Sequence, residues 1–250
     1  MDAAEAVAIF AAGAAAGTIN TIVGSGTLLT FPVLLAFGYS PITANVSNTI
    51  GLVPGSISGT VGYRGELQGQ RRRAVWLGLA SLVGGIAGAI LLLALPASAF
   101  KKIVPAFIAA ALVLVFVQPW LTRRLAGRHP HPLATRGVLP LGLFAVGVYG
   151  GYFGAAQGIL LLGMLALALP DSLQRINALK NVLAGLTNLV AGLVFVIAAQ
   201  HVSWAVAALL AVGSALGGQV GARVGRRLPP PVLRAVIVAV GIAAILKLVL

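Results

Sequence analysis

The sequence predicts an all-α polytopic membrane protein: two inverted-topology repeats of about five hydrophobic segments each, or about eight to ten helices, the second of each half short or re-entrant. Three observations carry this expectation. Of 250 residues, 59% are hydrophobic and only 8% are charged, whereas a soluble domain needs roughly a quarter of its residues charged to cover its surface. Apolar runs recur along nearly the whole chain, several reaching the ~20 residues that cross a bilayer. Motifs of the first half also return in the second at a constant spacing.

The first segment, 3–23, begins beside Asp2 and Glu5 with no Lys or Arg, unlike a signal peptide, and is expected to be retained. Gly24-Ser25-Gly26 ends it. The second, 27–37, has only about a dozen residues, too few to span comfortably, and reads as a half-helix or one arm of a re-entrant hairpin. The third, 43–63, is polar at its start and is interrupted at Pro54-Gly55. The fourth, 74–95, follows three arginines, and the fifth, 103–120, follows Lys101-Lys102. A basic link, 121–136, then separates the first repeat, 1–120, from the second, 137–250. The second repeat divides into 137–155, 159–169, 178–199, 202–222 and 232–249, again with a short second member.

GGIAGA at 84–89 returns as GGQVGA at 217–222, and Leu95-Pro96 returns as Leu228-Pro229, both at an offset of 133 that also places Asn48 on Asn181. One residue of slippage aligns Gly26 with Gly158. Gly/Ala/Leu-rich segments resemble one another in general, but a shared offset over separate motifs points to duplication. An odd number of segments per half inverts the second copy. With the N-terminus periplasmic, 14 of the 17 basic residues fall on cytoplasmic loops, against Lys101, Lys102 and Lys247 outside, as the positive-inside rule requires. The net charge of +13 is therefore a topology signal rather than a nucleic-acid-binding surface, and no nucleic-acid partner is expected.

Polar residues collect at two kinds of place. Asn20, Gly24, Ser25 and Gly26 precede the first short segment; Gly154, Gln157 and Gly158 precede its counterpart. Glycines there allow the helix to break at membrane depth, and the N–H groups opening the next helix can face an anion. Broken backbone in a bilayer is tolerated where protein or a water-filled cavity satisfies it. The third segments carry Asn45 and Asn48 in the first half, and Asn177, Lys180, Asn181 and Asn188 in the second. Amide and ammonium donors suit an oxyanion that is held without being trapped. The competing readings are Asn side chains that tie helices together, Lys180 snorkelling to the interface, and glycines that serve close packing.

The acids Asp2, Glu5, Glu66 and Asp171 all fall in termini or loops, leaving no mid-segment carboxylate for proton or sodium coupling. His129, His131 and His201 lie in the link and a short loop, and there is no Cys. No nucleophile–base set, acid pair or metal-ligand cluster can be assembled, so neither catalysis nor a cofactor or metal is expected. Trp76, Trp120 and Trp204 sit near segment ends, as interfacial anchors do. The small-xxx-small pairs Gly84/Gly88 and Gly217/Gly221 leave internal packing and homodimerisation equally open.

At GTINTIVGSGTLLTFPVLLAFGYSPITANVSNTIGLVPGSISG, and again at YGGYFGAAQGILLLGML and INALKNVLAGLTNLVAGLVF, the chain resembles the TauE/SafE family of sulfite and sulfonate-related anion exporters. The resemblance covers nearly the whole chain. It implies a bacterial inner-membrane permease of about eight helices that exports sulfite, sulfoacetate or a similar anion. The expected function is thus export of a small anion by alternating access around the two broken regions, within the lipid bilayer. The alternative is a membrane assembly or accessory protein for a redox or metal-centre pathway without transport of its own.

Overall fold

A backbone amide in hydrocarbon has no water to bond, so apolar segments of these lengths become helices. The computed structural model describes residues 1–125, 137–199 and 201–224, and within them the chain forms α1 (Ala3–Ile22), α2 (Thr27–Ala36), α3 (Pro41–Gly62), α4 (Arg71–Ala94), α5 (Ala97–Leu125), α6 (Leu139–Tyr152), α7 (Gln157–Ala168), α8 (Leu173–Ala198) and α9 (Trp204–Val224). The tenth expected segment, 232–249, lies outside the described residues, as do 126–136 of the basic link. Several helices outrun the apolar stretches that announced them. α4 already includes Arg71, Arg72 and Arg73, and α8 starts at Leu173 rather than at 178. α5 reaches from Ala97 to Leu125, past the 103–120 run at both ends. Hydropathy marks the hydrocarbon slab, whereas the helix continues into the interface.

Among the described residues, α1, α4, α5, α8 and α9 are long and apolar enough to cross a membrane. α3 is as long, with 22 residues, but buries Asn45, Ser47, Asn48, Thr49 and Ser56. It can carry this polar load because it packs against α1, α2, α5, α8 and α9.

Contacts between helices give their relative directions. Gly13 lies against Leu210, Gly17 against Ser214 and Gly221 against Thr18, so α1 and α9 run parallel. Gly51 meets Leu210 and Gly62 meets Ala222, aligning α3 with the same pair. Gly84 meets Phe144 and Gly88 meets Val148, making α4 parallel to α6, while Gly78 against Leu186 and Gly85 against Val190 align α8 with them. The two sets oppose one another: on α3 and α8, Ser56 meets Gly185 whereas Ile50 meets Gly192. Residues on the two small-xxx-small pairs are thus consumed inside the molecule. A Cβ on Gly88 would strike the Val148 carbonyl, and one on Gly217 the Ala14 carbonyl.

Both short helices fold back along their predecessors. Gly26 abuts Ala16 and Asn20 of α1, and the Tyr39 hydroxyl beyond α2 donates to Glu5 near the start of α1 at 2.9 Å. In the other hairpin Gly150 of α6 lies under the Gln157 side chain and Gly142 faces Met164 of α7. The α1–α2 hairpin enters from the face bearing the N-terminus and Ser203. The α6–α7 hairpin enters from the opposite face, where Arg73 pairs with Asp171. With ten residues, α2 is about 15 Å long, half of a hydrocarbon core.

Candidate functional site

The two hairpin tips meet. Gly24 and Gly154 take φ of +87° and +74°, each just past the C-cap of its helix, Val23 and Phe153; glycine reaches that conformation without the Cβ penalty. Gly158 donates its N–H to the Gly24 carbonyl at 3.0 Å. The approach is backbone on backbone: a Cβ on either glycine would run into the Cα of the other. Ala156, at φ 59°, holds a left-handed conformation that costs an L-residue about 1–2 kcal/mol, maintained by its place beside this crossing.

A helix that ends inside a protein leaves carbonyls without partners. Here each broken helix is capped from the other half. Asn45 of α3 donates Nδ2 to the Tyr152 carbonyl ending α6, at 2.9 Å. Reciprocally, Asn177 and Asn181 of α8 donate to the Thr21 carbonyl in the last turn of α1, each at 3.2 Å. Lys180 adds its Nζ to the carbonyls of Asn20, at 2.9 Å, and Thr21, at 3.3 Å. A cation there also meets the negative end of the α1 dipole. Lys180 is 0% exposed, which rules out snorkelling.

Three side chains therefore converge on the Thr21 carbonyl, which has two lone pairs. The acceptor thus has more donors than lone pairs. Other polar atoms are buried without a hydrogen-bond partner among the described residues: Ser25 Oγ, Gln157 Nε2, and the Oδ1 atoms of Asn45 and Asn177. Asn48 is fully engaged with α2, accepting from the Thr30 hydroxyl and donating to Thr27 Oγ1 at 3.3 Å. Asn188 stands apart on the α3–α8 contact, donating to Ser56 Oγ at 3.4 Å. Of the sequence-predicted residues, Asn20, Gly24, Ser25, Gly26, Asn177, Lys180 and Asn181 gather at the first tip, and Asn45, Gly154, Gln157 and Gly158 at the second.

Among the described residues no carboxylate pairs with Lys180. Asp2 caps α1, Glu5 accepts from Tyr39, Glu66 lies in the turn after α3, and Asp171 holds Arg73 and Arg175. An ammonium in a protein interior without a counter-charge is costly. A charged Lys180 makes the region electropositive, and Ser25 Oγ and Gln157 Nε2 stand there as donors without a partner among the described residues.

Sequence reasoning did not find the backbone acceptors Thr21 and Tyr152, the pair Thr27 and Thr30, or an aromatic cluster over the second tip. In that cluster Phe153 packs edge-on to Phe31 with ring centroids 5.1 Å apart, and Phe100 and Phe107 of α5 close over Tyr152 and Phe153. The i, i+3 spacing of Thr27 and Thr30 was a legible signal; the aromatic contacts join three separate elements and had none.

Residues 9–248 match the family described as sulfite exporter TauE/SafE. The chain is 30% identical over 210 residues to the probable membrane transporter protein YfcA of Escherichia coli K12, covering 80% of this chain and 73% of that one. It is 27% identical over 212 residues to a probable membrane transporter protein of Haemophilus influenzae, covering 83% and 80%. A probable membrane transporter protein of Sinorhizobium, ORF9, is 30% identical over 162 residues, covering 64% and 60%. No solved structure matches the chain.

Proposed function

We propose that this chain, which belongs to the sulfite exporter TauE/SafE family of multi-pass transporters in the bacterial inner membrane, exports a small oxyanion, sulfite or an organosulfonate, by alternating access around its two crossing hairpins. The carrying observation is Lys180, wholly buried at the tip of the first hairpin, whose hydrogen-bond partners among the described residues are backbone carbonyls and which pairs with no acid among them. An anion supplies the missing counter-charge. Ser25, Gln157 and the Asn177–Asn181 turn supply neutral donors around it, and the start of α2 adds the positive end of a helix dipole.

Residues 1–120 and 137–250 act in this reading as inverted repeats joined by a basic cytoplasmic link, the short helices being re-entrant arms. The opposed directions of α1 with α6, α3 with α8 and α4 with α9, and the reciprocal capping by Asn45 and Asn177, support it. Export needs no coupled cation, because a negative interior drives each negative charge outward by ~2.3 kcal/mol per 100 mV.

The experiment is sulfite efflux from proteoliposomes under an imposed potassium diffusion potential. Efflux accelerated by an inside-negative potential is the expected result. Flux indifferent to voltage, or no movement of sulfite, sulfoacetate and related sulfonates, would overturn the proposal.

A further inference from the structure

A second electropositive site lies on the face that carries the arginine-rich loops. A cavity of about 1090 Å³ opens between the start of α4 and the turn before α8, lined among the described residues by Arg71, Arg72, Arg73 and Arg175 and by one carboxylate, that of Asp171. Two of the four guanidinium groups are held in place. Arg73 and Arg175 both pair with Asp171, and Arg175 also donates to the Gln68 carbonyl at 3.1 Å. The Gln70 side chain joins the two walls, donating to the carbonyls of Glu66 and Arg175 at 2.8 and 3.1 Å.

The other wall is apolar. Val75 and Trp76, one turn further along α4, line the same cavity and are 59% and 63% exposed. The exposed side of an apolar membrane helix faces lipid, and a tryptophan there sits at headgroup level. The cavity thus has fixed cations on its aqueous side and bare hydrocarbon-facing surface on its membrane side. A small soluble anion has no use for the second wall, whereas a molecule with a phosphate at one end and acyl chains at the other fits both.

We propose that this cavity binds the phosphodiester headgroup of an anionic membrane lipid, with Arg71 and Arg72, which pair with no acid among the described residues, as the guanidinium arms and Trp76 against the glycerol and upper acyl region. Guanidinium groups match phosphate oxygens in a bidentate fork. A lipid bound there would bridge α4 to the loop that opens α8, the two elements already linked by Asp171. The lining of the cavity shares no residue with the crossing of the hairpins.

The test is retention of lipid by the purified protein, read by native mass spectrometry after exchange from nanodiscs containing phosphatidylglycerol or phosphatidylcholine. Wild type should retain phosphatidylglycerol and release phosphatidylcholine. The double variant Arg71→Gln/Arg72→Gln should lose retention by roughly thirtyfold, from two basic residues near an anionic surface. Trp76→Ala, which leaves every charge in place, should also weaken it, with thermal unfolding in zwitterionic detergent unchanged. Equal retention of the two lipids, or equal retention by wild type and the double variant, would refute the site. Displacement by inorganic phosphate as effective as by short-chain phosphatidylglycerol would refute the lipid as its occupant.

Discussion

Replacing Lys180 by methionine separates the binding role of this residue from its structural one. The side chain is 0% exposed, and among the described residues its Nζ bonds to the Asn20 and Thr21 carbonyls, at 2.9 and 3.3 Å. Loss of those bonds costs about 1.5–3 kcal/mol each. The variant no longer has to desolvate an ammonium, a penalty of several kcal/mol, and Thr21 keeps Asn177 and Asn181 as donors. The two contributions offset, so thermal unfolding in detergent should change by no more than about 2 kcal/mol in either direction. The effect on an anion is not offset. At ~4 Å and an effective dielectric constant of ~20, the lost attraction is about 4 kcal/mol, close to a thousandfold in affinity. Sulfite efflux from proteoliposomes, measured over a range of internal concentrations, should show half-saturation moved beyond reach. A folded Lys180→Met protein with wild-type half-saturation would refute the argument that this charge faces the substrate.

Four further outcomes follow from the same geometry. Asn181→Leu removes one of three donors to Thr21, so the protein should stay folded while sulfite flux falls at least tenfold, on the order of one charge-assisted hydrogen bond; undiminished flux would remove Asn181 from the site. Gly24→Ala meets both a positive φ and the Gly158 backbone, and should destabilise by roughly 2–5 kcal/mol in thermal unfolding, strain and overpacking together. Gly217→Val drives a side chain into the Ala14 carbonyl and should likewise lower the unfolding midpoint, whereas Gly65→Ala, in open space, should not. Burial alone would raise the Asp171 carboxyl, but hydrogen bonds from Arg175 and Arg73 outweigh it and hold the group below its ordinary value. Its contribution is therefore complete above the unfolded carboxylate range, near ~3.9, and is lost as pH falls further. Asp171→Asn should cost about 1 kcal/mol at neutral pH for this partly exposed pair, and unfolding midpoints of variant and wild type should converge below pH ~4.

Much of the architecture was legible from hydropathy, because length in a bilayer is a strong constraint. The runs at 27–37 and 159–169 were recognisable as too short to span, and they are α2 and α7. Polar starts were read less well. The apolar run of that segment starts at Ala178, yet Ser172 opens a helix whose first turn carries Gln174 and Arg175, which hydropathy assigns to a loop. At the site, residue type was readable but partnership was not. Asn45 and Asn177 stood out as amides in apolar helices; nothing in one sequence says that each caps a helix of the opposite half. The contact of Gly24 with Gly158 depends on how two hairpins cross, a tertiary property with no local signature.

The exchange of helices between halves bears on how the protein is made. α1 finds its close glycine-lined neighbour, α9, about two hundred positions later in the chain, and α4 must wait for α6. A ribosome-bound first half would thus expose two grooved surfaces to lipid, and the Thr18 hydroxyl would lack its long-range acceptor on Gly217. Assembly is therefore closed late, by contacts of very long sequence separation, the kind that slow folding and leave intermediates exposed to misassembly. Cutting the chain at the basic link would not release two self-sufficient pieces; co-expressed fragments would have to re-associate before either acquired a protease-resistant core.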